Sequence, residues 1–237
     1  MFTQIIRKQI ELNNAITLDW RSKDWELAII TECAETIDST AWKWWKAGSE
    51  DIDNLKVEAI DLLHFIISYG LSRLYSEADG VTYPINDLNE TLIEEWEIAQ
   101  DDVSVNNSGF YKTDLIKFLL NALLSYQESP STRFSRMTYQ LFALILSLGM
   151  DAHEVRAMYM AKNLLNEYRQ ARGYKDPNSN YQKIINGVED NAHFFAFVRE
   201  LGHNHPDLKL ASFEKMDNLL AFHVVKNNCT TNIILSE

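Results

Sequence analysis

The stretch from Thr31 to Ser68 constrains the fold of this chain more than any other part of the sequence. It contains two carboxylate pairs, Glu32/Glu35 and Glu58/Asp61, each spaced three residues apart within an apolar helical pattern. Residues three apart are neighbours on one face of a helix. The stretch therefore predicts two helices joined by a short polar connection, and antiparallel packing would point four carboxylates into one small volume.

These four acids point to a divalent metal site. None of them is followed four residues later by Lys or Arg, which is where an exposed helical face commonly carries a counterion. Ionised carboxylates that crowd together out of water repel one another and lose hydration, so they require a strong positive partner. Oxygen ligands of this kind suit Mg²⁺ or Mn²⁺. A pair of exposed acids explains one such motif, but two motifs on adjacent apolar helices favour a metal-dependent hydrolase acting on a nucleoside triphosphate.

Few residues in the chain favour turns or strands. Only eight glycines and four prolines occur in 237 residues, and no alternating pattern of strand length stands out. The sequence therefore predicts an all-α protein. The expected helices span Phe2 to Leu18, Asp24 to Ser39, Asp53 to Tyr75, 86–102, Thr113 to Gln127, Arg133 to Leu148, Ala152 to Arg172 and 190–224. Asp24 is expected as an N-cap, Gly149 and Asp151 as a C-cap and the following N-cap, and the chain after Asp176 as irregular.

The acidic balance of the chain limits its partners. The formal net charge is −12, and the segment 86–102 has no Lys or Arg, which predicts a solvated helix followed by a mobile loop through Ser108. A charge of this sign argues against a protein that grips nucleic-acid backbones. We expect no nucleic-acid partner, although metal ions and a few local bases can still hold a nucleotide substrate.

The sequence indicates a cytoplasmic protein. Its N-terminus lacks the apolar region of a signal peptide, and no apolar run reaches membrane-spanning length, so no membrane partner is expected. The two cysteines, Cys33 and Cys229, are too few for a disulfide framework.

A basic helix face is the counterpart of the acids. Lys162, Asn166 and Arg169 follow one another at intervals of four and three residues, which places them on one stripe of a helix. Tyr174 and Lys183 come after this helix. Cations and amides on one face suit the oxygens of a polyphosphate, although a solvated helix face explains the same pattern without a ligand.

The chain contains the blocks ECAETIDSTAWKWWK, VEAIDLLHF and KNLLNEYRQARGYKD, followed by YQK and NGVEDN. In their order and approximate spacing, these blocks resemble those of the dimeric, all-α dUTPases of the all-α NTP pyrophosphatase superfamily. The resemblance implies a helical bundle core with an inserted mobile helical segment and C-terminal helices, in a single domain over 1–237. On this division 1–75 and 151–191 form the catalytic core, 76–150 is the inserted segment and 192–237 holds the C-terminal helices.

The resemblance also implies an activity, namely hydrolysis of dUTP to dUMP and pyrophosphate, with dUDP as a second substrate and a homodimer as the assembly. Two or three Mg²⁺ ions, or Mn²⁺, would be held by Glu32, Glu35, Glu58 and Asp61, and Glu32 would also activate the attacking water. The residues that match the family's phosphate contacts are Lys162, Asn166, Arg169, Tyr174 and Lys183. Those that match its deoxyuridine pocket are Gln9, Asn13, His64 and Phe65, with the segment Trp42–Trp45 beside the pocket or at a dimer contact.

Three other functions fit parts of the sequence. A related pyrophosphohydrolase that prefers dCTP or another nucleoside triphosphate would share the metal motif and differ only in its base pocket. A non-catalytic helical protein would use the tryptophans and the acidic surface to bind a partner. Asp61-Leu-Leu-His64 and Glu200-Leu-Gly-His203 also resemble the carboxylate-x-x-His element of di-iron bundles, although Gly202 indicates that the second helix ends there.

Overall fold

Helices make up nearly all of the regular structure in this computed structural model, which describes residues 2–74, 85–105, 111–202 and 205–234. The elements in chain order are α1 (Phe2–Ile16), a short 3-10 helix (Trp20–Ser22), α2 (Trp25–Ser39), α3 (Ile52–Arg73), α4 (Ile85–Val105), α5 (Lys112–Leu124), α6 (Pro130–Ser147), α7 (Ala152–Ala171), β1 (Ile184–Ile185), β2 (Val188–Glu189), α8 (Asp190–Leu201) and α9 (Leu208–Ile234). The predicted all-α class is confirmed.

The chain forms two compact units, Met1–Tyr159 and Met160–Glu237. The first contains α1 to α6 and the beginning of α7, and the second contains the rest of α7, both strands, α8 and α9. The predicted division into a catalytic core, an inserted mobile segment and C-terminal helices is not tested by this grouping and stays a prediction.

The central helix of the first unit is α3. It packs against α1, α2 and α6, and apolar side chains are buried on every side of it, as in a helix enclosed by others. These buried residues include Leu55, Ala59, Ile60, Leu62, Leu63, Ile66, Ile67 and Leu71. Gly70 marks a close approach, because a Cβ at this position would lie 2.6 Å from Cε2 of Phe134 in α6. The packing holds Glu58 and Asp61 on an enclosed helix.

Polar caps fix the starts of the two helices that carry the predicted metal ligands. Asp24 Oδ1 accepts a hydrogen bond from Leu27 N at 3.1 Å before α2, as predicted. Asp51 Oδ1 accepts one from Asn54 N at 3.0 Å before α3. An N-cap of this kind satisfies an otherwise unpaired backbone donor and contributes about 1 kcal/mol. Because α2 ends at Ser39, the tryptophans that follow lie outside the helix.

The acidic segment forms α4, which has one apolar face. Leu88, Leu92, Trp96 and Ala99 are buried at helical spacing, and α4 packs against α1 and α6. Most of its acids are exposed, which agrees with the predicted solvated face. The predicted loop through Ser108 lies partly outside the described residues. Among the helices that the structure describes, none is both long enough and apolar enough to cross a membrane.

A buried cluster forms the core of the second unit. Its members are Ala161, Leu165, Tyr168, Ile185, Phe194, Val198 and Met216. Strands β1 and β2 pair antiparallel with Ile184 opposite Glu189, and the turn between them holds Asn186 at φ 52° and Gly187 at φ 81°. The sequence predicts irregular chain after Asp176 and helical structure over 190–224, with a helix end near Gly202. The structure has a hairpin in place of part of the irregular chain, and it then has α8, which ends at Leu201, and α9, which begins at Leu208.

Candidate active site

Three carboxylates converge between α2 and α3. Oxygen atoms of Glu32, Glu58 and Asp61 lie within 4.8 Å of one another, and all three side chains are half-buried. Two like charges at this separation repel by roughly 3 kcal/mol when the effective dielectric constant is about 20. A divalent cation among them would replace repulsion by attraction, and a ligand set made only of oxygen suits Mg²⁺ or Mn²⁺. The three residues therefore fit the predicted metal site.

Glu35, the fourth predicted ligand, is exposed on α2 and is not part of this group of three. It lines a cavity of about 630 Å³ together with Asp38, Asp51 and Glu58. Glu58 thus belongs both to the group of three carboxylates and to the cavity wall. Glu35 lines this cavity from α2, and Glu58 lines it from α3.

A polar link joins the end of α2 to the start of α3. Asn54 Nδ2 donates to Ser39 Oγ at 2.6 Å and to Glu58 Oε1 at 3.0 Å. Asp51 N donates to the Ser39 carbonyl oxygen at 3.0 Å. These bonds orient the Glu58 carboxylate relative to α2. Asn54 was not among the predicted site residues, although an amide four residues before a carboxylate lies beside it on a helix.

Cys33 lies next to Glu32 but is unsuited to bind a metal or to react. It is buried, and burial, with a smaller contribution from the charge of Glu32, raises the pKa of its thiol to about 12. The thiol keeps its proton near neutral pH, whereas the thiolate is the form that ligates metals and attacks electrophiles.

Three of the four residues predicted for the base pocket form one buried network. Gln9, Asn13 and His64 are 3%, 1% and 4% exposed. Gln9 Nε2 donates to Asn13 Oδ1 at 2.9 Å. Ser68 of α3 accepts a hydrogen bond from each of the two amide nitrogens and donates one to the main-chain carbonyl oxygen of His64. Phe65 is half-buried and lies outside this network, with its ring centroid 6.1 Å from that of a tryptophan of α2. Ser68, which lies one helical turn after His64, was not among the predicted site residues.

The tryptophans after α2 are exposed. Trp44 is the most exposed of them, at 88%. Edge-to-face contacts join Trp42 to Trp45 and Trp44 to Trp45, with ring centroids 5.2 and 5.5 Å apart. Their expected place beside the base pocket or at a dimer contact stays a prediction.

In the second unit, three of the predicted phosphate-binding residues lie together at a buried ion pair. Arg169 is one member of the pair, and Asn166 and Tyr174 contact it. Arg169 Nε and Nη2 donate to the two carboxylate oxygens of Asp190 at 2.9 and 2.7 Å, and Nη1 donates to Asn166 Oδ1 at 3.2 Å. The Tyr181 hydroxyl also donates to Asp190. The ring of Tyr174 lies 5.3 Å from the guanidinium carbon of Arg169. Asp190, which was not among the predicted site residues, is the acid that orients this group.

The two predicted phosphate-binding lysines lie in different surroundings. Lys162 is only 5% exposed. Lys183 is exposed and pairs with Glu189 at 3.4 Å. The Lys183 carbonyl oxygen also accepts a hydrogen bond from Asp190 N at 2.8 Å, so the hairpin that carries Lys183 delivers Asp190 to the start of α8.

One ligand of the di-iron hypothesis, His203, lies outside the described residues. Glu200, its partner in the motif, pairs with Lys215 at 2.9 Å near the end of α8. Asp61 belongs instead to the group of three carboxylates.

A comparison with protein families identifies the family of this chain. A family model described as dUTPase matches residues 1–174, a span that contains all four predicted metal ligands and most of the predicted substrate contacts. No curated protein matches the chain. The family match covers well over half of the sequence and confirms the resemblance seen in its motifs. The chain therefore belongs to the all-α dUTPase family.

Proposed function

We propose that this protein hydrolyses dUTP to dUMP and pyrophosphate in a Mg²⁺-dependent reaction and accepts dUDP as a second substrate. Membership of the dUTPase family supports hydrolysis of dUTP. The metal dependence rests on one observation, the three carboxylates whose oxygens lie within 4.8 Å of one another. Such a group favours a bound cation and offers only oxygen ligands.

We assign the metal ligands to Glu32, Glu35, Glu58 and Asp61, which would hold two or three Mg²⁺ ions, or Mn²⁺. When bound, such ions stabilise charge on phosphate oxygens and lower the pKa of a bound water. Glu32 would accept the proton of the attacking water as a general base. Asn54 would keep the Glu58 carboxylate oriented, because a hydrogen bond to a ligand restricts its rotation.

We assign the substrate contacts from the resemblance to the family, and the chemistry of the side chains in each unit supports this assignment. In the second unit, the phosphates would be bound by Lys162, Asn166, Arg169, Tyr174 and Lys183. In the first unit, the base would be bound by Gln9, Asn13, His64 and Phe65. Phosphoryl transfer gains mainly from positioning and from stabilisation of negative charge, and cations and amides provide both.

We also propose that the protein is a homodimer in the cytoplasm. The dimer is supported by the resemblance to dimeric dUTPases and by the general preference of oligomers for two-fold symmetry. Sedimentation velocity measures the assembly directly, and a monomer at micromolar concentration contradicts it.

The variant Glu32→Gln tests the proposed reaction. It keeps the shape of the side chain but removes a metal ligand and the general base, so we expect the rate to fall by about 100-fold or more. The measurement is dUMP formation from dUTP and dUDP, with product formation from the four standard deoxynucleoside triphosphates followed in parallel. EDTA should abolish the wild-type activity.

Glu90→Gln is the matched control, because it removes an exposed acid from α4. Its rate should equal that of the wild type, and circular dichroism verifies that both variants are folded. A preference for dCTP over dUTP, or turnover that persists in EDTA, contradicts the proposal.

A further inference from the structure

We propose that Ser68 and Tyr159 are positioning residues that lock the amide orientations of Gln9 and Asn13, and that this lock makes the base pocket select uracil over cytosine. The inference rests on the proposed function, because it concerns the same base pocket. The four side chains are enclosed, with exposures of 3% for Gln9, 1% for Asn13, 0% for Ser68 and 0% for Tyr159. Water therefore cannot substitute freely for the hydrogen bonds among them.

The lock begins at the backbone of α3. Ser68 Oγ lies 2.9 Å from the carbonyl oxygen of His64, which can only accept, so the single hydroxyl proton of Ser68 is used there. Ser68 Oγ also lies 3.0 Å from Gln9 Nε2 and 3.0 Å from Asn13 Nδ2. Because Ser68 has no second proton, it accepts both of these bonds. The nitrogen of each amide must therefore face Ser68.

Tyr159 fixes the other end of Gln9. The second N–H of Gln9 donates to Asn13 Oδ1 at 2.9 Å, and Gln9 Oε1 lies 2.5 Å from the Tyr159 hydroxyl. Since an amide oxygen only accepts, Tyr159 is the donor. Burial raises the pKa of Tyr159 well above its usual range, which keeps the proton on this hydroxyl. The Tyr159 ring stacks on His64 at 3.8 Å with 5° between the planes, which holds the hydroxyl in place.

This network leaves Asn13 as the amide that has both a donor and an acceptor to spare. In the bonds made among the described residues, Gln9 uses both of its N–H groups and one of the two acceptor positions of its oxygen, whereas Asn13 donates one bond and accepts one. Asn13 therefore retains one donor and one acceptor position, and Ser68 sets their order in space. On this basis Asn13 presents the donor and acceptor pair to the edge of the base, whereas Gln9 can offer the base only an acceptor.

The order of donor and acceptor matters because it is what separates uracil from cytosine. Uracil carries the acceptor O4 beside the donor N3–H, whereas cytosine carries a donor amino group beside the acceptor N3. An amide free to rotate by half a turn exchanges its oxygen and nitrogen and satisfies either base. A locked amide satisfies one edge and leaves buried groups unpaired against the other, which is how a hydrogen-bonding site rejects an analogue.

The test measures kcat/KM for dUTP and for dCTP in Ser68→Ala and Tyr159→Phe. Ser68→Ala removes the group that both amide nitrogens face, and Tyr159→Phe removes one hydroxyl while keeping the stacked ring. We expect each variant to lower the ratio of kcat/KM for dUTP to kcat/KM for dCTP by about tenfold. The loss should appear mainly as a higher KM for dUTP, because a base contact acts in the ground state as well as in the transition state.

Two matched variants remove a hydroxyl outside the network. Ser72→Ala deletes a hydroxyl that donates to the Tyr69 carbonyl at 2.9 Å in the same helix, and Tyr139→Phe deletes one that donates to Asp102 at 2.7 Å. Both should keep the wild-type ratio. If circular dichroism shows that Ser68→Ala does not fold, Tyr159→Phe decides the test. Equal losses on dUTP and dCTP overturn the inference, whereas a wild-type protein that does not turn over dUTP refutes the proposed function itself.

Discussion

At the scale of single residues, Asp190 compensates the buried charge of Arg169. The two side chains are 0% and 12% exposed and are joined by two hydrogen bonds. Removing one partner of a buried pair leaves the other charge without compensation, which costs about 3–5 kcal/mol. We therefore expect Asp190→Asn to lower the free energy of unfolding by this amount at pH 7. Urea unfolding followed by far-UV circular dichroism measures the change.

The pH dependence of this effect has a definite sign. Burial alone would raise the pKa of Asp190, but the hydrogen bonds and charge of Arg169 hold it below its usual value of 3.8. A carboxylate with a lowered pKa stabilises the fold above its usual pKa and loses this effect as the pH falls through the lowered value. The difference between Asp190→Asn and the wild type should therefore shrink below pH 3.8.

Asp217→Asn provides the comparison for Asp190→Asn. Asp217 also accepts two hydrogen bonds from one arginine, Arg172, but these side chains are 41% and 40% exposed. Exposed pairs contribute less than about 1 kcal/mol because water and salt screen them. Equal losses in the two variants would mean that burial does not set the strength of the Arg169 pair.

Residues of the candidate site could be predicted where the spacing of nearby residues along the chain identifies them. The spacing of the acids within apolar helices is visible in the chain, and three of the four meet in the structure. Tyr159 and Asp190 carry no such signal, because their partners are set by tertiary packing. Tyr159 donates to Gln9 from 150 residues away, and Asp190 meets Arg169 only after a hairpin that was not expected.

At the scale of elements, the approach of α3 to α6 depends on Gly70. A Cβ there would lie 2.6 Å from a ring carbon of Phe134, and this ring is only 1% exposed. Overpacking of a core costs roughly 1–3 kcal/mol, against about 1 kcal/mol that alanine gains over glycine in a helix. The middle of the first range, about 2 kcal/mol, less this gain leaves a net loss of about 1 kcal/mol. We expect Gly70→Ala to lower the free energy of unfolding by this amount, as measured by urea unfolding.

Two further variants isolate the cause of this loss. Gly48→Ala adds a methyl group where no atom lies within 4 Å, so it should leave stability within about 0.5 kcal/mol of the wild type. In a Phe134→Leu background, Gly70→Ala should cost less, because the smaller side chain makes room. The same cost in both backgrounds would exclude the contact between α3 and α6 as its source.

Most helices could be predicted because their apolar spacing and caps are local. The helix from Asp24 to Ser39 has its expected cap and end, and α7 ends one residue before its expected limit. The hairpin was missed because its strands have two residues each, too short for an alternating pattern. Its signal was the Asn186-Gly187 turn between apolar residues, and Gly202 at φ 82° similarly marks the end of α8.

At the scale of the whole molecule, the net charge and the proposed metal binding both bear on stability. The formal net charge of −12 opposes the compact state through self-repulsion. Any cation relieves part of this repulsion by screening, but a bound ion acts at one place and stabilises only the folded protein. A specific site can therefore be separated from general screening by comparing Mg²⁺ with a monovalent salt of equal ionic strength.

We expect Mg²⁺ at about 100 times its dissociation constant to add about 2.7 kcal/mol to the stability of the first unit, which raises its unfolding temperature by roughly 5–10 °C. Tryptophan fluorescence reports this unit selectively, because all six tryptophans lie within residues 20–96.

Asp61→Asn should lose most of the Mg²⁺-induced rise in unfolding temperature. Asp114→Asn, which removes an exposed acid paired with Lys117, should keep it. A rise of equal size in KCl of matched ionic strength, or in Asp61→Asn, would mean that Mg²⁺ acts by screening rather than by binding to the three carboxylates.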